Sequence, residues 1–477
     1  MDSSSPVVNF GQNVSFRPQQ VMRPQTEQEL LDILNNSKSG RVRVVASRHA
    51  WSPLIETDAT LLDMSSFDEI EVFERDGKKY VRVGAGCPIK RLVNALNQQG
   101  LSLPSLGLIA EQRVAGAIST GTHGSGKHSL SHYVQALRVA CLPEDSSEAV
   151  IREIDRGPDL EAARCSLGCL GVIVEVTIPC IPQYLVREKM TPCKTIEEVL
   201  QLEAKSPLQQ FYLLPHSWTY YSQERSVSEN TKRSRLAWLY QIYWFVCIDI
   251  NLHLLVKLIA ACLRSRSLIH VMFRRIVPLC LFPRWVVIDR SDRLLTMEHQ
   301  LFRHLELELF VPGSRLVEAS RYVECVLKAA DGLDATLPKA QFRTIEEMGL
   351  REEWKELQGT YTHHYPICFR KVLTDDTMIS MTSGDEKAWY AISLITYVKP
   401  RDDFYRVAAF LARSMQVLFD ARIHWGKWFP LEAAEVGAMY PRLSEFRSVC
   451  RKYDPGGVFR NGFVQRVIFE EDPGTPA

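Results

Sequence analysis

The chain has almost no net charge. Lys and Arg total 57 against 56 Asp and Glu, a formal balance of +1. Without a basic excess, a general nucleic-acid binder is excluded. There is no Cys-x-x-Cys pair, and the 12 cysteines are scattered without spaced histidine partners, so no metal site is expected. At 477 residues the chain needs no disulfide staples, and its cysteines read as buried thiols in a reducing compartment. The opening stretch MDSSSPVVNFGQNVSFRPQQ has no apolar core, so no cleavable secretory signal is expected. Neither GxxxxGK[ST] nor a strand-linked GxGxxG occurs, which leaves a P-loop and a nicotinamide-type Rossmann site unsupported. No internal repeat or low-complexity tract is present.

What is present is a globular composition, 46% hydrophobic and 24% charged, in a length that suits two to four domains. The first 180 or so residues alternate short strands and helices. Thr26 and Glu29 form a capping box ahead of Leu30, Leu31, Ile33 and Leu34, and Gly40 closes that helix. Arg41–Ala46 (RVRVVA) alternates as a half-buried strand does, and Leu61 and Leu62 open a second. Ile70–Phe73 and Tyr80–Val83 flank Asp76-Gly77 and predict a hairpin. Pro88 suits the first residue of a helix running to Gln98, with Gly100 past its end. Val134–Leu142 and Val172–Ile178 predict further strands. After Pro179–Pro182 longer helices and strands follow, among them Arg303–Phe310 and Ala391–Val398.

Leu236–Leu263 is the most apolar part of the chain, interrupted only by Gln241, Asp249, Asn251, His253 and Lys257. A spanning helix wants about 20 apolar residues with few or no charges, so Asp249 and Lys257 count against a span. The reading preferred here is a helix lying in the plane of a membrane surface; ordinary buried helices are the alternative. Arg264, Arg266, Arg274 and Arg275 follow and suit anionic head groups, or a solvated helix face.

Two small-residue loops invite a ligand. One is Ala46-Ser47-Arg48-His49-Ala50, directly after a predicted strand; the other is Gly116–Gly126, GAISTGTHGSG. Glycine lets backbone approach a ligand, and successive N–H groups can cradle phosphate. Each is a weak signal alone.

In order, VRVVASRHAWSP, LPSLGLIAEQRVAGAISTGTHGSG and LGCLGVIVEVTIPCIPQ resemble the FAD-binding domain of the vanillyl-alcohol-oxidase flavoprotein superfamily. HYPICFR, IHWGKW and YPRLSEFRSVCRKYDPGGVFRNGF narrow the resemblance to its aldonolactone oxidase branch over nearly the whole chain. The resemblance implies an α+β chain: a two-lobed FAD-binding domain over residues 1–182, a substrate or cap domain over 183–435 with a β-sheet flanked by helices, and a segment 436–477 returning to the flavin. It implies FAD held by Ala46, Ser47, Arg48, His49 and Ala50, by Gly116, Ser119, Gly121, Thr122, His123 and Gly124, and by Gly168, Gly171 and Ile173. His49 falls where many members attach the flavin covalently. The family reads Gly-His-Ser-Pro here, whereas this chain has Arg48-His49-Ala50-Trp51-Ser52-Pro53. Gly107 falls where the oxidases carry a small residue beside the flavin, which implies room for dioxygen.

For chemistry, the resemblance implies Arg370 from the family's Glu-x-Arg pair and Lys427, with His424, from its His-Trp-x-Lys motif. The Glu position is Cys368. A thiol bonds substrate hydroxyls or an arginine poorly. The implied reaction is oxidation of an aldono-1,4-lactone such as L-gulono-1,4-lactone by oxygen, giving hydrogen peroxide, on an endoplasmic reticulum membrane surface. Cys368 keeps two alternatives open, an alditol or sugar-acid oxidase and a flavin-binding membrane-associated protein without catalysis. It also predicts an arginine that must find another acceptor on the substrate or the protein.

Overall fold

The computed structural model describes residues 5–38, 40–283, 285–297, 302–397 and 401–470. The last residue expected for the strand 391–398 and the final seven of the C-terminal segment lie outside these. The first lobe opens with a parallel sheet in which Thr60–Asp63 lies between Gln20–Met22 and Val42–Val45. Helix Glu27–Asn36 covers it with Leu30 and Leu34. Thr26 caps that helix by accepting from Glu29 N. Glu29 answers one residue earlier than expected, accepting from Gln25 N at 2.8 Å.

A five-stranded antiparallel sheet follows, in the order Val150–Ile154, Ala136–Cys141, Val172–Pro179, Lys78–Gly84, Ile70–Arg75. The hairpin turn falls at Asp76 and Gly77, with φ of 51° and 70°, the doubly left-handed turn that matches strand twist. Pro88 is the N-cap of helix Ile89–Gln98, one position ahead of the place expected for it.

An eight-stranded antiparallel sheet forms the second body. Its order is Val286–Arg290, Leu185–Cys193, Thr219–Val227, Gln210–Leu214, Ile367–Leu373, Ala388–Tyr397, His304–Pro312, Arg422–Ile423. Side chains alternate across a strand. Leu305, Leu307, Leu309, Ile367, Phe369, Ile392 and Leu394 pack with helices Leu316–Ala330 and Asp402–Phe419 in the main core. The alternate positions Glu306, Glu308, Cys368, Arg370, Ser393 and Ile395 therefore share the opposite face.

The chain then returns to the first lobe. Leu142 N donates to Tyr453 O and Val42 N to Val458 O, and Val458 and Phe459 join the core under helix Glu27–Asn36.

The apolar segment is a continuous helix, Ala237–Leu263. Arg264, at φ 49°, breaks it. Ser265 caps the next helix, which starts at Arg266–Val271 and runs on to Cys280. Val256, Ile259, Ile269, Met272, Phe273 and Val277 pack inward on Met190, Leu214, Tyr221 and Tyr397. Trp238, Ile242, Leu254, Leu258, Val271 and Leu279 face outward and are exposed, Leu279 by 78%. This hairpin is apolar on both sides, but only one side has a partner in the chain.

Candidate active site

One cavity of about 340 Å³ joins the lobes. The strand Val42–Val45 and the turn after it supply Ala46, Ser47, Arg48, His49 and Ala50 to its wall. Gly116, Ser119, Thr122, His123, Gly168, Gly171 and Ile173 line it as well. The large sheet contributes Glu306, Glu308, Cys368, Arg370 and Ser393, and the turn after Arg422–Ile423 contributes His424 and Lys427. Asp249 and His253 reach it from the apolar hairpin.

Three expected glycines do not line it. Gly107 is buried, and a Cβ there would fall 2.6 Å from Thr122 Cγ2, so packing against Thr122 calls for a glycine. At Gly124 a Cβ would meet Leu106 O at 2.3 Å, and at Gly121, φ +74°, it would meet Met381 Cε at 2.7 Å. These positions shape the loop from behind.

The cradle end fits an anionic dinucleotide. Arg48 adopts φ 60°, and among the described residues no protein acceptor takes the backbone N–H of Arg48, His49 or Ala50. Successive unpaired N–H groups around a left-handed residue form an anion nest. Arg43 is fully buried behind it. Its guanidinium donates to Leu54 O (2.7 Å), Phe459 O (2.6 Å) and Leu167 O (2.8 Å), all neutral carbonyls. Its charge thus lacks a carboxylate partner among the described residues. His49 Nδ1 is buried without a hydrogen bond. Burial first, then Lys427, pushes the His49 pKa down to about 4, so its imidazole is neutral at pH 7.

Trp51, the bulky departure in this loop, is a bolt. Its N–H donates to Gly426 O at 2.8 Å and its indole Nε1 to His304 O at 2.6 Å. Ser52 Oγ donates to Trp425 O at 2.6 Å. Lys427 Nζ stands 4.4 Å from the Trp51 ring centroid, within cation–π range.

The sheet end holds a feature that sequence reasoning missed. Glu308 Oε1 accepts from Ser393 Oγ at 2.8 Å and lies 3.6 Å from Arg370 Nη1 and 3.4 Å from His123 Nε2. Its Oε2 lies 3.9 Å from Lys427 Nζ, while Lys427 bonds Glu306 Oε2 at 2.5 Å. Burial opposes ionisation of Glu308, yet a hydrogen bond from His123 and the charge of Lys427 hold its carboxyl well below the usual range. Arg370 also donates through Nε to Gln210 Oε1 at 3.2 Å. The arginine therefore finds its acceptors on the protein.

Register explains why. Cys368 and Glu308 both pair with Ser393, from its two sides. The carboxylate absent at 368 is supplied two strands away in the same row. The Cys368 thiol is buried, and burial raises its pKa, so it stays protonated. The visible signal was Glu306-Leu307-Glu308, two acids two residues apart in an otherwise apolar strand.

Hydrogen positions follow from partners. His424 Nδ1 accepts from Gly426 N at 2.9 Å, and burial pushes the His424 pKa down to about 3. The ring is neutral and Nε2 carries the hydrogen. His123 Nδ1 faces Gly124 O at 3.0 Å. A carbonyl only accepts, so Nδ1 is a donor there, and a hydrogen on Nε2 faces the Glu308 carboxylate at 3.4 Å.

Residues 18–144 match the FAD binding domain family. The solved structure of cholesterol oxidase from Brevibacterium sterolicum has a TM-score of 0.76 at 15% identity, over 97% of this chain and 96% of that one. The fold is that of the vanillyl-alcohol-oxidase-type flavoproteins, and the chain is an FAD-dependent oxidase of CH–OH donors. Residues 176–467 match D-arabinono-1,4-lactone oxidase, and the chain belongs to that family. A long-chain alcohol oxidase from an uncultured marine euryarchaeote is 47% identical over 96% of both chains. Mouse L-gulonolactone oxidase is 25% identical over 97% of this chain and 98% of its own. An alditol oxidase from a Streptomyces species is 25% identical over 98% and 99%.

Proposed function

We propose that the chain oxidises the hydroxyl of a long-chain alcohol drawn from a membrane surface, yielding the aldehyde and hydrogen peroxide from oxygen. One observation carries this reading: the cavity that holds Arg370 and Lys427 is also walled by Asp249 and His253 of a hairpin whose outer face is exposed and apolar. The likeness to a long-chain alcohol oxidase supports it. The cell's candidate surface is the endoplasmic reticulum.

FAD, when bound, supplies the two-electron acceptor for the carbinol C–H and the centre at which oxygen is reduced. The residues that would hold it are the nest at Arg48–Ala50, Ser119, Gly168 and Gly171, with Arg43 behind. His49, neutral and unpartnered through Nδ1, is the group for covalent attachment. At the other end Glu308 accepts a hydrogen bond from the substrate hydroxyl and orients it. A carboxylate held so far below its usual range is a weak base. As the C–H bond breaks the hydroxyl becomes far more acidic, and its proton passes to the Glu308–His123 pair. Arg370 and Lys427 place fixed positive charge where negative charge builds as the C–H bond breaks.

The second reading is an aldono-1,4-lactone such as L-gulono-1,4-lactone, in an ascorbate-type synthesis. The polar row behind Arg370 favours it: Gln210 donates to Tyr212 OH at 2.6 Å and to Gln223 Oε1 at 2.7 Å. Anaerobic mixing of the flavin-loaded protein in detergent with dodecanol, an alditol and L-gulono-1,4-lactone separates the two. Bleaching by dodecanol alone is expected; bleaching by the lactone alone would move the lactone reading ahead.

A further inference from the structure

Away from the cavity, His216, His270 and Asp331 converge from three separate elements. His216 lies in the turn between strands Gln210–Leu214 and Thr219–Val227. His270 belongs to helix Arg266–Val271 of the apolar hairpin, and Asp331 ends helix Leu316–Ala330. Nothing in the oxidase chemistry uses them.

Their hydrogen-bond pattern points to a cation. His216 Nε2 lies 2.7 Å from His363 O, a carbonyl that only accepts, so Nε2 carries a hydrogen and Nδ1 is left to face the carboxylate. That Nδ1 is buried without a hydrogen bond and lies 3.4 Å from Asp331 Oδ2. His270 Nε2 lies 2.7 Å from the same oxygen. Thr362 Oγ1 holds the other oxygen, Oδ1, at 2.6 Å. A ring nitrogen aimed at a carboxylate in a buried place calls for positive charge between them, a proton or a metal ion. A ring N–H fixed by a backbone carbonyl, and a carboxylate fixed by a hydroxyl, are the outer partners that metal-binding groups use. His216 also stands at φ 67°, strain of the kind that persists at ligand clamps.

We propose that His216 Nδ1, His270 Nε2 and Asp331 Oδ2 bind one zinc ion. All three atoms lie within 4.8 Å of one another; His216 Nδ1 and Asp331 Oδ2, 3.4 Å apart, already have the separation of two zinc ligands, and His270 Nε2 need only open from that oxygen by roughly 0.6 Å to admit an ion at the roughly 2.0–2.2 Å of zinc–nitrogen and zinc–oxygen bonds. His270 is 24% exposed, which leaves an approach for a water as fourth ligand. The ion pins the base of the apolar hairpin to the substrate sheet and to its covering helix. It is a positioning site, remote from the reacting atoms. Sequence spacing could not show it, because the ligands are 54 and 61 residues apart.

The test uses the full-length, flavin-loaded protein in detergent, stripped with a chelator and titrated with zinc against a chromophoric competitor. One zinc per chain is expected, with a melting temperature raised by several degrees. His270→Ala and Asp331→Asn should each weaken binding at least about tenfold, with the flavin spectrum unchanged. Zinc content that stays below about a tenth of an equivalent in wild type would overturn the site, as would binding unchanged in both variants. Binding lost in both variants because the ring stays charged by a proton alone is excluded by the wild-type titration itself. Should a variant fail to fold, cobalt in wild type decides. Intense tetrahedral visible bands support the site, and the weak spectrum of aqueous cobalt overturns it.

Discussion

Arg370 and Glu308 lie on strands separated by a third, yet their guanidinium and carboxylate approach to 3.6 Å. The acid that the neighbouring position 368 does not supply comes from across the sheet. Glu308→Gln should therefore lower kcat/KM about a hundred- to a thousandfold, within the range for a side chain that handles the reacting proton. Flavin content should hold. Steady-state peroxide production, with flavin absorbance as the control, measures it. Activity within a factor of two of wild type would reduce Glu308 to a structural residue.

Cys368→Glu would place a second carboxylate in the row that already holds Glu308. Two buried acids sharing one site cannot both ionise freely. A glutamate there would compete with Glu308 rather than give Arg370 a missing partner. We expect kcat/KM to fall about tenfold or more and the activity profile to move to higher pH. A faster enzyme at pH 7 would show that Glu308 does not do the work of the missing acid.

His49→Ala should release the flavin on acid precipitation, whereas wild type should keep its yellow colour in the pellet. Colour in the wild-type supernatant would refute the covalent bond and leave FAD binding intact.

Acid should destabilise the fold earlier than carboxylates alone would. Burial holds His364 at about 4 and His424 at about 3, against roughly 6.5 in an unfolded chain. Below pH 6.5 the unfolded chain takes protons that the native chain refuses. The stabilisation is complete above that pH and is lost as pH falls towards 4, by about 1.4 kcal/mol per pH unit for each histidine. Melting temperature should drop between pH 6.5 and 4.5, and less steeply in His364→Asn. A flat profile in wild type would contradict the assignment.

The outward face of the hairpin should bind vesicles. Leu258→Glu with Leu279→Glu should cut flotation with phosphatidylcholine–phosphatidylserine vesicles more than tenfold, since each buried leucine side chain is worth about 1.5–3 kcal/mol. Equal flotation of variant and wild type would place the contact elsewhere.

Local periodicity and turn chemistry made most of the first lobe legible: the Thr26 cap, the hairpin at Asp76-Gly77, and strands from alternation. Resemblance carried the loops. What stayed hidden was register. No reading of HLELELFVP and HYPICFR separately says that Glu308 and Cys368 meet the same serine, because a row across a sheet is a long-range fact. Gly107 makes a related point: a small residue reports that something is close without saying whether it is a ligand or Thr122.

The three carbonyls held by Arg43 come from Leu54, Leu167 and Phe459. The last of these lies 416 residues beyond Arg43 and reaches it only when that segment folds back. Until then the arginine beneath the nest has one partner too few, and the strand Val42–Val45 lacks the Val458 carbonyl that anchors its start. The cradle for the cofactor is therefore complete only with the returning segment in place. A chain stopped short of Val458 should accumulate without flavin however much of the first lobe it contains, which flavin fluorescence of the purified truncation reads directly.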